Sequence, residues 1–113
     1  MPVCGHGAGR LSPTQRSLKH LREAGYVCAI VEHWDHFARK RRDLFGMFDL
    51  LCVREGETLA VQTTSGSNVS ARVKKIGDSD LLGAVRDAGW VVHVHGWTRG
   101  ANGRYRLRVE DLS

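Results

Sequence analysis

Three polar side chains in the middle of the chain are spaced so that a β-hairpin would bring them together. Asp49 stands within an apolar segment, and Gln62 and Thr64 close a second apolar segment. Because side chains alternate between the two faces of a strand, Gln62 and Thr64 are expected on one face. A carboxylate in an apolar strand is costly, so Asp49 needs a hydrogen-bond donor, a cation or a metal ion. The spacing predicts one polar site; a loop cap or a bond from Asp49 to Arg42 is the alternative.

The elements that must position this site follow from apolar periodicity and turn residues. Ser12 and Pro13 are typical of a helix start, and Gly25 is typical of a helix end. Two apolar strands joined by a short turn at Gly56 predict an antiparallel hairpin. The predicted order is a helix (13–24), three strands (26–33, 47–54 and 58–64), a helix (69–76, continued by 80–88) and two strands (90–97 and 104–109). This order predicts an α/β fold with a mixed sheet, and the first strand is expected to be buried.

The composition narrows the class of protein. The chain has 113 residues, of which 42% are hydrophobic and 26% charged, as in an ordinary globular domain. We expect a flexible, glycine-containing arm over residues 1–11 and a single domain over residues 12–113. With neither a secretory signal nor an apolar segment of membrane length, we expect a cytoplasmic protein without a membrane partner. Three cysteines argue against a disulfide framework, and Cys4 with His6 makes only half of a zinc site.

Positive charge points to a polyanionic partner. Seventeen Lys and Arg against twelve Asp and Glu give a formal net charge of +5, and a small basic protein favours nucleic acid. One set of candidate phosphate contacts ends a predicted polar loop over residues 34–43, and a second lies on one face of the last strand. For the second set a solubilising edge strand is the alternative. The first set is Arg39, Lys40, Arg41 and Arg42; the second is Arg104, Arg106 and Arg108; Arg72, between them, is a further candidate contact.

A family resemblance rests on the same residues. Asp49 is an acidic strand residue followed by a hairpin whose second strand, Leu-Ala-Val-Gln-Thr-Thr over residues 59–64, ends in a polar pair. With the αβββαβ order, residues 12–97 resemble the PD-(D/E)xK nuclease superfamily, and within it small Holliday-junction-resolvase-like and phage-encoded nuclease-like proteins. The resemblance implies a restriction-endonuclease-like αβββαβ core, with a mixed central sheet flanked by helices. Asp49 matches the first aspartate of the family pattern, Gln62 its second acidic position and Thr64 its lysine position.

The function implied by this resemblance is metal-dependent hydrolysis of phosphodiester bonds in DNA, including branched or structured DNA. The cofactor would be Mg²⁺, or Mn²⁺, and its ligands Asp49, the side-chain carbonyl of Gln62 and the backbone carbonyl of Thr63, since hard cations prefer oxygen. A homodimer is expected as well, because symmetric substrates favour symmetric proteins.

The lysine of the family pattern needs a replacement in this chain. Lys74 or Lys75, on the helix after the hairpin, is expected to stabilise the charge added during hydrolysis, and Arg72 is another option. A solvated helix face is the alternative for all three. Glu32 is a candidate substitute ligand, or else the ion-pair partner of one of residues 39–42.

Two other functions stay open because Gln62 and Thr64 replace a carboxylate and a lysine. The first is a catalytically inactive nuclease-fold protein that binds nucleic acid. The second is a phage protein that uses the fold as a scaffold for a host-protein partner. His93 and His95 alternate on one strand, but two histidines make an incomplete metal site, so a polar sheet face is favoured for them.

Overall fold

The computed structural model describes residues 11–113, so the Cys4 and His6 pair, and all of the predicted N-terminal arm except Leu11, lie outside the described residues. None of the helices within residues 11–113 combines the length and apolar character needed to cross a bilayer. The elements in chain order are α1 (Pro13–Glu23), β1 (Val27–Ile30), β2 (His33–Asp35), β3 (Lys40–Arg42), β4 (Leu50–Arg54), β5 (Glu57–Ser65), α2 (Val69–Gly77), α3 (Leu82–Asp87), β6 (Val91–Arg99) and β7 (Tyr105–Asp111).

A five-stranded mixed sheet forms the centre of the fold, in the order β1-β4-β5-β6-β7. Its neighbours are antiparallel except for β5 and β6, which are parallel. Parallel neighbours need a crossover, and here α2 and α3 provide it. The predicted α/β fold with a mixed sheet flanked by helices is therefore confirmed, as is the antiparallel hairpin, which is β4 with β5.

Helices cover both faces of the sheet because the central strands are apolar on both sides. Leu59 and Val61 of β5 belong to the apolar cluster that includes Leu21 of α1. Ala60, between them on the opposite face, belongs to the cluster of α2 and α3 with Val69 and Ile76. Because both faces of β5 are covered, its sequence is apolar at consecutive positions rather than at alternate ones.

Buried hydrogen bonds fasten α1 to the sheet. Ser12 and Gln15 form a capping box at its first turn. Ser17, fully buried, accepts a hydrogen bond from Nε1 of Trp97 at 2.9 Å, which leaves its hydroxyl proton available for Nδ1 of His95, also 2.9 Å away. Burial, reinforced by the neighbouring His93 and His20, lowers the pKa of His95 to about 4. His95 is thus a neutral structural residue at pH 7.

Three predictions about the first half of the chain are wrong. The strand expected to be buried, residues 26–33, is the shorter β1 at the sheet edge, where Val27 and Ile30 are 73% and 52% exposed. An apolar segment does not by itself distinguish an edge strand from a central one. The polar loop expected over residues 34–43 contains a separate two-stranded sheet of β2 and β3. The strand expected over residues 47–54 begins only at Leu50, because a tight turn occupies the preceding residues.

Gly96 of β6 permits the close approach of α2 to the sheet, and this contact is testable. A Cβ atom at this position would lie 2.1 Å from Cγ2 of Val69 and 3.3 Å from Cα of Gly66. We expect Gly96→Ala to lower the free energy of unfolding by about 1–3 kcal/mol, because it overpacks the core. Gly83→Ala in α3 is the matched control, since a Cβ there meets nothing within 4 Å and alanine favours helix. Urea denaturation checks both, and equal stability of the two variants would contradict this view of the contact.

Candidate metal centre

Asp49 lies at the junction between a tight turn and the central hairpin. Its backbone continues the sheet by one residue beyond β4: its N–H donates to the carbonyl of Val61 at 2.9 Å, and its carbonyl accepts from the N–H of Val31 at 2.9 Å. The Asp49 side chain is therefore held at the end of the sheet that contains Gln62, Thr63 and Thr64, near the end of β5.

The Asp49 carboxylate accepts three hydrogen bonds at one oxygen. Oδ2 accepts from Nε2 of Gln62 at 2.7 Å, from the backbone N–H of Thr63 at 2.8 Å and from the Thr63 hydroxyl at 3.0 Å. The Thr63 hydroxyl also lies 2.7 Å from that of Thr14, at the start of α1. These donors fix the carboxylate with respect to both the sheet and α1.

Gln62 is oriented by this interaction. A carboxylate accepts only, so the amide nitrogen must face Asp49 and the carbonyl oxygen must point away. That oxygen, Oε1, is the single buried side-chain N or O atom within residues 11–113 that lacks a partner. In this orientation Gln62 is a donor to Asp49, and the ligand role expected for its carbonyl requires the amide to turn over.

Three carboxylates converge beside these hydrogen bonds. Glu32, directly before β2, and Asp43, directly after β3, each place an oxygen within 4.8 Å of the other and of an Asp49 oxygen. Asp49 is buried and the other two are partly buried. Hard divalent cations take carboxylate oxygens at about 2.0–2.6 Å, so oxygens at this separation can share one ion. The donor set thus suits a hard divalent cation, but it does not identify Mg²⁺.

The ionisation of Glu32 and Asp43 reflects this crowding. Burial raises the pKa of Glu32 above its ordinary value, and the charge of Asp49 raises it further. Burial and the Asp49 charge raise the pKa of Asp43 in the same way, although Lys75 and Arg72 oppose the shift. Both carboxylates are therefore costly to keep charged without an added cation.

Cations surround the cluster on an open cleft of about 340 Å³. Nη1 of Arg41 lies 3.5 Å from Glu32, and Nζ of Lys75 lies 3.8 Å from Asp43. Arg72 lines the same cleft. Lys74 points elsewhere on α2, where it pairs with Asp78 at 3.0 Å and remains 79% exposed. Of the candidate cations on α2, Lys75 and Arg72 therefore lie near the carboxylates.

The remaining candidate residues divide between this cleft and other parts of the molecule. Gln62, Thr63 and Thr64 are buried and line it. The four cations of the first predicted set are exposed at β3 and the turn before it, where Arg42 pairs with Asp35. In the second set, Arg106 and Arg108 are exposed on the edge strand β7, and Arg104 lies just before it. His93 and His95 stack on each other, and Nδ1 of His95 contacts Ser17.

Asp43 is the site residue that sequence reasoning missed. It lies across a turn from Asp49, and in this turn Leu44 and Phe48 form an isolated bridge and Gly46 adopts a φ of +71°. The signal available in the sequence was two aspartates flanking a glycine-containing apolar segment. A glycine that permits positive φ indicates a turn rather than a strand, and a turn brings its flanking residues together.

Comparison of this chain with models of protein families, with curated proteins and with solved structures finds no match.

The cluster predicts that the protein is stabilised both by removal of one carboxylate charge and by binding of a metal ion. Since the pKa values of Glu32 and Asp43 are raised in the folded state, the native protein binds more protons than the unfolded chain above about pH 4, and stability falls as pH rises through that window. We therefore expect Asp43→Asn to raise the melting temperature of the metal-free protein at pH 7.5. Added Mg²⁺ or Mn²⁺ should raise the melting temperature of the wild type and leave that of the variant nearly unchanged.

Asp78→Asn is the matched control, because Asp78 is an exposed carboxylate beside Lys74. It should keep the wild-type response to metal. Differential scanning fluorimetry with EDTA, Mg²⁺ and Mn²⁺ measures both effects. An equal metal response in all three proteins would contradict a metal centre at the cluster.

Proposed function

We propose that this chain is a metal-dependent DNA endonuclease of PD-(D/E)xK type with a restriction-endonuclease-like core, and that it hydrolyses phosphodiester bonds in branched or structured DNA. The observation that carries the proposal is the convergence of Glu32, Asp43 and Asp49 on an open cleft lined by Arg41 and Arg72. Carboxylates for a metal and cations for a phosphate are the two requirements of metal-assisted phosphodiester hydrolysis.

The architecture supports this assignment. The cluster lies where the β4–β5 hairpin ends, α1 packs on one face of that hairpin, and α2 leads from β5 to the parallel strand β6. These are the elements that the αβββαβ resemblance requires, with β2 and β3 inserted between β1 and β4.

The three carboxylates of the cleft and the residues that contact Asp49 have separate roles in the proposal. Glu32, Asp43 and Asp49 would hold the divalent cation, Mg²⁺ or Mn²⁺. A bound cation of this kind polarises a phosphate and lowers the pKa of a water molecule. Gln62 and Thr63 fix the Asp49 carboxylate through its Oδ2 atom.

The α2 cations would replace the lysine of the family pattern. Thr64, at the lysine position, is buried and carries no charge. Lys75, whose ammonium lies 3.8 Å from Asp43, and Arg72 are near enough to the cluster to stabilise charge that develops on a phosphate. Lys74 forms an ion pair with Asp78 instead, so it is not assigned this role.

The remaining cations would contact DNA away from the scissile bond. Arg39, Lys40 and Arg42 are exposed beside Arg41, and Arg104, Arg106 and Arg108 are exposed at or next to the opposite edge of the sheet. A twofold dimer, with the edge strand β7 in the contact, would present two clefts to the two strands of a junction.

A catalytically inactive nucleic-acid-binding protein is the second candidate function, and one observation favours it. Oδ2 of Asp49 already accepts three hydrogen bonds from Gln62 and Thr63. A carboxylate satisfied in this way has a structural role even without metal. The two candidates differ in cleavage and share the DNA interface.

Asp49→Asn tests the enzyme directly. We expect cleavage of labelled four-way-junction DNA with Mg²⁺ or Mn²⁺ to fall at least about a hundredfold, because loss of the buried carboxylate weakens metal binding and each 1.36 kcal/mol is tenfold in rate. DNA affinity measured in EDTA should stay within about twofold. Asp78→Asn is the control that keeps activity, and Asp43→Asn is a second test should Asp49→Asn reduce folding. If the wild type cleaves no DNA with either metal, the nuclease is contradicted and the catalytically inactive nucleic-acid-binding protein is the function that remains.

Gln62→Glu gives the opposite expectation in the same assay. It restores the acidic position of the family pattern and places a carboxylate against Asp49, where Gln62 now donates at 2.7 Å. Repulsion should lower the stability of the metal-free variant, and the metal concentration needed for half-maximal cleavage should fall. An unchanged metal requirement would show that position 62 does not contribute to the metal centre.

A further inference from the structure

The β2–β3 hairpin, residues 33–42, presents aromatic side chains to solvent next to the candidate metal centre. Phe37 at its turn is fully exposed, with a relative accessibility of 102%, and Trp34 is 50% exposed. A fully exposed phenylalanine loses the stabilisation that burial of its side chain would give. Its position at the tip of a projecting hairpin therefore indicates a partner rather than a role in packing.

The turn that carries Phe37 is ordered by its own hydrogen bonds. Oδ1 of Asp35 accepts from the backbone N–H groups of Phe37 at 2.9 Å and Ala38 at 3.1 Å, and Oδ2 accepts from Arg42. The Ala38 N–H and the Arg42 guanidinium lower the pKa of Asp35 to about 2, so the carboxylate stays charged at all ordinary pH values. The backbone that carries the exposed ring is thus held in a defined turn.

The charge of the hairpin selects the kind of partner. Arg39, Lys40, Arg41 and Arg42 are all exposed, and within residues 11–113 neither Arg39 nor Lys40 forms an ion pair. An apolar protein partner would gain nothing from four adjacent cations. Single-stranded nucleic acid complements both features, since its phosphates contact Lys and Arg and its bases stack on aromatic rings.

The hairpin also has a fixed relation to the cluster. It begins directly after Glu32 and ends directly before Asp43, and Trp34 stands opposite Arg41, which contacts Glu32. Three strand residues at about 3.3 Å each separate the acidic cluster from the turn by about 10 Å, the length of about three stacked nucleotides.

We propose that Phe37 stacks on an unpaired base of a DNA substrate, about three nucleotides from the phosphate held at the cluster. The inference rests on the proposed function and makes it more specific. The substrate class becomes DNA with unpaired bases beside the cleavage point, as at a junction, a flap or a gap, rather than continuous duplex.

Binding in EDTA tests this step without any need for metal or cleavage. Fluorescence anisotropy compares the wild type with Phe37→Ala, Phe37→Trp and, as matched control in the same turn, His36→Ala. Phe37→Ala should weaken binding to single-stranded and gapped DNA by about tenfold and binding to duplex by less than about twofold. Phe37→Trp and His36→Ala should bind as the wild type does. The salt dependence of Phe37→Ala should be unchanged, whereas an Arg39→Ala, Lys40→Ala double variant should have a shallower slope.

Photocrosslinking locates the stacked base. 5-Iododeoxyuridine moved along the unpaired strand should crosslink to Phe37 at one position, and the crosslinked peptide should be absent from Phe37→Ala. Wild-type affinity of Phe37→Ala for gapped DNA, or an equal loss on every DNA, would overturn the proposal. Self-association that disappears in Phe37→Ala would overturn it too, because the tip would then be an interface between two copies. If the wild type cleaves DNA but Phe37→Ala binds gapped DNA as the wild type does, only the stacking inference is overturned. If Phe37 contributes to binding but the wild type does not cleave DNA, only the proposed nuclease activity is overturned.

Discussion

Like-charge repulsion among Glu32, Asp43 and Asp49 is the constraint around which this end of the molecule is organised. Three carboxylates with oxygens within 4.8 Å of one another oppose folding unless positive charge or hydrogen-bond donors compensate them. The protein supplies donors to Asp49 from β5, and cations to Glu32 and Asp43 from Arg41 and Lys75. The raised pKa values of Glu32 and Asp43 indicate that this compensation is incomplete. A divalent cation would complete it.

The fold brings these carboxylates together by placing each of them next to a strand. Glu32 follows β1, Asp43 follows β3, and Asp49 precedes β4, so each is fixed by a neighbouring strand. The same geometry joins the β2–β3 hairpin to the cluster at both of its ends. A substrate contact on the hairpin and a metal at the cluster would consequently be held at a constant separation, which is the arrangement that positions a phosphate for reaction.

Sequence reasoning found the hairpin of β4 and β5, the grouping of Asp49 with Gln62, and the α/β class, because alternation and turn residues are local signals. It did not find β2 and β3, since their residues are almost all polar and their pairing depends on Asp35 closing the turn. It placed Glu32 as a substitute ligand or as the ion-pair partner of one of residues 39–42, and the ion pair with Arg41 is present. It omitted Asp43, because residues 47–54 were predicted as a strand and the turn that brings Asp43 near Asp49 was not recognised. It took β1 for a buried strand because edge position is a property of the whole sheet.

Anomalous diffraction from crystals soaked in Mn²⁺ tests the central claim most directly, since it locates the ion without relying on activity. One strong anomalous peak is expected within about 2–2.6 Å of oxygens of Glu32, Asp43 and Asp49. The peak should disappear in crystals of Asp43→Asn. The contrary result is an ordered cluster without a peak at saturating Mn²⁺, in which the carboxylates contact only Arg41, Lys75 and Gln62. That result would show that the cluster is a structural polar network and not the proposed metal centre.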